Sequence, residues 1–163
     1  MKIDHFFYIT EVASGQFFAS ELFQRSFAAP PPDEPKHYVA FYREKPLLFR
    51  TLGYIHFRAY RGVYLGGGLC IDPHAYRRLP EEHRRLLRAT GGIAEQLLRT
   101  GIDASKEVPA HFVYVGDLRS ERIVQRVGFV HTEHQYLLVR WNQSIAASEQ
   151  QRLIKMVAEL GPF

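Results

Sequence analysis

Val63-Tyr64-Leu65-Gly66-Gly67-Gly68-Leu69-Cys70-Ile71-Asp72-Pro73 is where the chain changes its hydrophobic period. Residues 63–71 read as a strand, entered through the tight turn Arg61-Gly62. Upstream, residues 47–60 alternate, with Leu47, Phe49, Thr51, Gly53, Ile55, Phe57 and Ala59 on one face. Arg50, Tyr54, His56, Arg58 and Tyr60 share the other face, with Leu48 and Leu52 among them. Alternation of period two is the mark of a strand with one face in the core. Residues 37–43, rich in tyrosine and phenylalanine, precede it across Glu44-Lys45-Pro46. Three sequential antiparallel strands are therefore expected.

Beyond Asp72-Pro73 the period becomes helical. Leu86, Leu87, Ile93, Ala94, Leu97 and Leu98 form a stripe over residues 81–99. Pro80 suits a first helical position, Glu81 and Glu82 favour the positive end of the helix dipole, and Gly101 suits the stop. Gly91-Gly92 within this stretch costs about 1 kcal/mol per glycine and marks either close packing or a break. Residues 108–115 are a short apolar strand suited to a buried parallel position. A right-handed strand–helix–strand crossover follows, with residues 69–71 parallel to residues 113–115.

The remaining elements extend this frame in both directions. Phe23 and Phe27 lie on the inner face of a short helix over residues 19–27, ended by Ala28-Ala29-Pro30-Pro31-Pro32-Asp33-Glu34-Pro35. Residues 120–127 read as a helix closed by Gly128, residues 129–141 as strand, and residues 144–160 as an amphipathic helix. The expected fold class is α/β (α+β), a single domain over residues 1–163 with one mixed sheet. A helix and loop over residues 1–36 lead in, and a helical extension over residues 144–163 closes the chain. That last helix, with Leu153, Met156, Val157 and Leu160, either packs on its own domain or serves a homodimer.

Composition narrows the function. The 163 residues are 46% hydrophobic and 13% aromatic, with one cysteine and a net charge of +4. Disorder, coiled coil, an internal disulfide framework and a cysteine zinc finger are excluded. No apolar run is long enough to span a membrane, and the N-terminus lacks a secretory core, so a cytoplasmic protein is expected. The arginine-rich charge suits either an anionic small ligand or a merely basic surface. Nucleic acid is disfavoured because Glu81 and Glu82 interrupt the basic run His83-Arg84-Arg85 and no RNA-recognition signature occurs.

Few residues carry a chemical signal of their own. Gly66-Gly67-Gly68 is followed by no Gly-Lys-Ser/Thr, so it is no nucleotide-triphosphate loop; it permits a bulge or a close approach. Cys70 reads as a small core residue rather than a nucleophile. His56, beside Tyr54 and Tyr60, has the acid–base range to accept an amine proton. His131 and His134 fall on opposite faces of a strand, so no metal site is expected there.

Taken with the element order, Ile71-Asp72-Pro73 followed by Arg77, and Asp117-x-x-Ser120 followed by Gly128-Phe129, resemble motifs of the Gcn5-related N-acetyltransferase superfamily. The resemblance covers roughly residues 37 to 141, as an order of elements. It implies acetyl-coenzyme A as cosubstrate and an amine as acceptor. It implies contact of Leu69, Cys70 and Ile71 with the pantetheine, of Arg77 and Arg78 with the phosphates, and of Asp117 and Ser120 with the cofactor cleft. Two departures stand out. Leu79-Pro80 occupies the place implied for phosphate-cradling glycines, and Val124 stands where many members carry a thiolate-protonating tyrosine. The resemblance is thus compatible with a transferase or with a binding protein of the same fold.

Overall fold

The computed structural model describes residues 2–33 and 36–163; Glu34 and Pro35 of the proline-rich loop lie outside the described residues. A 3-10 turn over Ile3–His5 leads into β1 (Phe7–Val12), then α1 (Gly15–Phe27), β2 (Lys36–Lys45), β3 (Leu48–Tyr60) and β4 (Val63–Ile71). Three helices follow, α2 (Pro73–Arg78), α3 (Glu81–Ala89) and α4 (Ile93–Asp103), before β5 (Ala110–Tyr114). The chain ends with α5 (Leu118–Arg126), β6 (Val130–His131), β7 (Leu137–Trp141) and α6 (Ala147–Ala158). The seven strands form one mixed sheet in the order β1-β2-β3-β4-β5-β7-β6. Among the described residues only β4 and β5 are parallel neighbours.

Both faces of the sheet are covered. Ile55, Phe57, Val113 and Leu138 meet Leu97, Leu98 and Ile102 of α4 and Val124 of α5. Gly101 lets the Phe57 ring lie directly against the α4 backbone. On the opposite face, α1 packs Ala19, Leu22 and Phe23 on Val39, Tyr54 and Cys70. There, too, α6 packs Leu153, Ile154 and Val157 on Val63, Leu65, Phe112 and Val139. The C-terminal helix therefore buries its apolar stripe on its own chain.

Several expectations need correction. Residues 1–36 are not only helix and loop: Phe7–Val12 pairs with β2, because its aromatic and β-branched residues suit a half-buried strand. The first helix starts at Gly15, four residues early, with the Ser14 hydroxyl accepting from the Phe17 N–H. The expected helix over residues 81–99 is two helices, broken where Gly91 and Gly92 take φ of +90° and +87°. Residues 129–141 make a hairpin, β6 with β7, rather than one strand. Leu52 sits with Ile55 and Phe57, not with Tyr54. It is the extra residue where Ala40 pairs Gly53 but Phe41 pairs Thr51, a bulge that flips the alternation.

The parallel crossover exists, in a shifted register. Tyr64, Leu65 and Gly66 pair with His111, Phe112 and Val113. Residues 69–71 and 114–115 run in the same direction but lie beyond the last pair, Gly66 with Val113.

Candidate active site

Past Gly66 and Val113 the two central strands part, and the gap between them is the site. A second bulge helps to make it. Tyr54 pairs Cys70 and His56 pairs Gly67, so Ile55 faces two residues of β4, Gly68 and Leu69. Gly68 takes φ of +63°, which a side chain would make costly. A Cβ there would come within 2.5 Å of the Phe23 ring and 2.7 Å of the His56 ring. A Cβ at Gly67 would come within 2.8 Å of His56 Nε2. The sequence carries glycine at both positions because two aromatic rings occupy the space.

The resulting hollow, about 290 Å³, is lined by Gly66–Leu69 and by residues 113–117, with Ile55, Leu98, Ser120 and Val124 from the α4–α5 face and Phe27 from the α1 face. It passes through the sheet. Leu69 and Ser120 also line a second hollow, shared with Ile71, Tyr76, Arg77, Ala94 and Arg119. This one opens in turn into a third, of about 690 Å³, between the N-terminus of α4 and one face of α5. Arg88, Arg119, Arg122 and Arg126 all line that third hollow, beside Gly91 and Gly92. Helix α4 has no side-chain N-cap, which leaves its first N–H groups to face a ligand. A Cβ at Gly92 would meet nothing within 4 Å, so open space lies in front of that helix end. Glu95 rivets the two helices: Oε1 accepts from Arg99 Nη2 at 2.8 Å and Oε2 from Arg126 Nε at 3.0 Å. The Arg99 hydrogen bond, then that of Arg126, holds its carboxyl below the usual glutamate range.

A sheet whose parallel central pair splays over a helix N-terminus, after an antiparallel meander, decides the architecture. The fold is that of the Gcn5-related N-acetyltransferases. A ribosomal-protein-alanine N-acetyltransferase of Escherichia coli superposes with a TM-score of 0.60 at 11% identity, covering 86% of this chain and 97% of that one. A GNAT family acetyltransferase of Brucella melitensis, solved in complex with acetyl-CoA, gives 0.56 at 18% identity, covering 87% and 92%. A spermidine/spermine N-acetyltransferase of Vibrio cholerae gives 0.54 at 12% identity, covering 83% and 95%. No family model and no curated protein sequence matches the chain.

Within this acetyltransferase fold the residues singled out from sequence fall in different places. Leu69, Cys70, Ile71, Arg77 and Ser120 line the middle hollow. Cys70 turns its side chain to the α1 face, and burial pushes its thiol up to about 12. Asp117 uses Oδ1 to accept the N–H groups of Arg119 and Ser120, which caps α5. Hydrogen bonds from Ser120 hold its carboxyl low. Arg77 and Arg78 end α2, a six-residue helix, and Arg78 lines none of the three hollows. The helix that crosses to β5 begins at Ile93, so Leu79-Pro80 is only the turn between α2 and α3.

His56 lies on the α1 face, half-buried against Gly67 and Gly68. Its Nδ1 stands 3.4 Å from Tyr54 Oη, which in turn stands 2.7 Å from His37 Nδ1. Burial, then the nearby His37 and Arg58, lowers the His56 pKa to about 4, so the ring is neutral at pH 7. The sequence reading missed His37, and it missed the arginines of α5 and Arg88. The signal for the latter was Arg88-Ala89-Thr90-Gly91-Gly92, an arginine three residues before a glycine pair that opens a helix.

Proposed function

We propose that this protein is an N-acetyltransferase that moves acetyl from acetyl-coenzyme A to an amine. The observation that carries the reading is the run of hollows from an arginine-lined helix N-terminus on one face, between the parted strands, to Gly67-Gly68, against which a neutral histidine packs on the other face. The N–H groups at the start of α4, with Arg88, Arg119, Arg122 and Arg126, suit the phosphates of coenzyme A. Leu69 and Ile71, whose strand edge has left β5, offer backbone groups to the pantetheine amides. Arg77 and Ser120 border the same path, and Asp117 serves it by fixing the first turn of α5.

Transfer then needs the amine nitrogen to attack the thioester carbonyl carbon. The C–S bond breaks, coenzyme A leaves as thiolate, and the amine gives up one proton. His56 starts unprotonated and can take that proton, with Tyr54 Oη 3.4 Å from its Nδ1 to orient the ring. A base of pKa about 4 is weak, so its contribution is modest. Val124, buried in the lining, has no proton to give the thiolate, so coenzyme A leaves without a dedicated acid at that position. A covalent acetyl-cysteine is disfavoured because Cys70 faces away and its thiolate is costly.

Calorimetric titration with acetyl-coenzyme A and with coenzyme A tests the reading, and saturable heat that weakens with salt is expected. No heat at any ionic strength overturns it. The alternative, a binding protein that has lost turnover, is favoured by Val124 in place of the family's tyrosine. Saturable binding with no thiol release from any amine would decide for that alternative.

A further inference from the structure

The mouth of the cross-sheet hollow on the α1 face is built from aromatic rings that four separate segments bring together. Phe27, at the end of α1, and Tyr114, at the end of β5, both line the hollow. Phe23 lies 4.6 Å from Phe27 and 6.2 Å from His56, centroid to centroid. Phe163 stands edge-on to Tyr114 at 6.1 Å and shares a small pocket with His56 and Arg58. Phe27 keeps 46% of its surface exposed and Tyr114 36%, so these rings do not serve the core alone. The charged side chain among the described residues of that small pocket is a cation, Arg58. The one carboxylate among the described lining residues, Asp117, already accepts two backbone N–H groups.

From this arrangement we infer that the acceptor is an amine carried on an aryl or bulky apolar body, such as an arylalkylamine. The inference rests on the acetyltransferase reading and names its second substrate class. Faces and edges of Phe27, Tyr114 and Phe163 hold the ring by offset and edge-on contact, and the amine points past Gly67-Gly68 toward His56. An apolar protein cavity of about 150 Å³ holds benzene, so the hollow's 290 Å³ has room for a ring beside the thioester end of the cofactor. A polyamine meets Arg58 and finds no free carboxylate side chain among the described lining residues for its second cation. Glutamate finds Arg58 but leaves the aromatic rings wet.

The test offers 2-phenylethylamine, spermidine and L-glutamate as acceptors with saturating acetyl-coenzyme A, and follows thiol release. Calorimetry with coenzyme A is run on the same protein. The expected result is kcat/KM at least tenfold higher for 2-phenylethylamine than for the other two. Phe27→Ala and Phe163→Ala should each raise its KM about fivefold, with little change in kcat and none in coenzyme A affinity. Equal or better use of spermidine or glutamate overturns the inference, as does an unmoved KM in both variants. If coenzyme A does not bind, the acetyltransferase reading fails. Ligand-observed NMR with 2-phenylethylamine then still reads the aromatic mouth, and no signal that Phe27→Ala abolishes would overturn the inference. If coenzyme A binds and 2-phenylethylamine neither binds nor accepts acetyl, the inference fails alone.

Discussion

On the α4–α5 face the cleft meets solvent between four arginines and an uncapped helix end. On the α1 face it meets solvent between Phe27, Tyr114 and Phe163. The same gap in the same sheet thus has one entrance suited to phosphate and another suited to an apolar ring. Under the proposed acetyltransferase reading the difference keeps two substrates apart: each enters by the side whose desolvation it can tolerate, and they meet at Gly67-Gly68. Charge on the first side and its scarcity on the second are separable by experiment.

The sharpest break of the contrast removes charge from the first entrance. Arg119 and Arg122 make no ion pair among the described residues, so Arg119→Ala/Arg122→Ala should spare the fold. Charge-assisted hydrogen bonds contribute about 1.5–3 kcal/mol each. The double variant should therefore bind coenzyme A at least roughly a hundredfold more weakly by calorimetry, with the acceptor KM unmoved.

Acid separates the two sides next. His56 on the acceptor side and the sealed His111 both sit near pKa 4, mainly through burial, while an unfolded histidine titrates near 6.5. Between these values the unfolded chain binds more protons. Stability is therefore full above pH 6.5 and falls as pH drops toward 4. For His111 alone the gap amounts to roughly 3 kcal/mol. Glu95, held low on the cofactor side, keeps its contribution until pH falls below the ordinary glutamate value near 4.5. Urea unfolding at pH 7, 5.5 and 4.5 should show the loss, and His111→Gln should flatten it.

Smaller effects sharpen the comparison further. His56→Ala should lower kcat about tenfold and change its pH dependence, with coenzyme A affinity kept, because the ring faces only the acceptor side. Raising sodium chloride from 0.05 to 0.5 M should weaken coenzyme A binding severalfold and leave the KM for 2-phenylethylamine nearly constant. Cys70→Ala should do least of all, leaving transfer within twofold, as a thiol turned to α1 and pushed up to about 12 has no part in it.

Much of this architecture was legible in the chain. The alternation of residues 47–60 and the stripe through Leu97 and Leu98 specify a meander followed by a crossover, because one buried face per element imposes its period on the sequence. The phosphate end was harder. Ile71-Asp72-Pro73 drew attention to Arg77, yet two helices stand between β4 and the helix that crosses back. The glycines that open the crossing helix are Gly91 and Gly92, whose pair resembles a mere fault in a longer helix until their φ values are known. The aromatic mouth was not legible at all: Phe27, Tyr114 and Phe163 are distant in sequence, and only packing brings them together. His56 could be picked out by type, but its neutrality depends on burial beneath Phe23 and on His37.

The three residue pairs between β4 and β5 have a mechanical consequence. Backbone hydrogen bonds join β2 to β3 over nine pairs and β3 to β4 over seven, but the four-stranded leaf β1–β4 meets the three-stranded leaf β5-β7-β6 over three. Tension across the sheet therefore concentrates on Tyr64–Gly66, while the helical connection from α2 to α4 acts as a strap that keeps parted leaves from drifting away. A ligand tail whose amides bond to both leaves would add rungs to the ladder that holds the halves together. It would stiffen the sheet where it yields first.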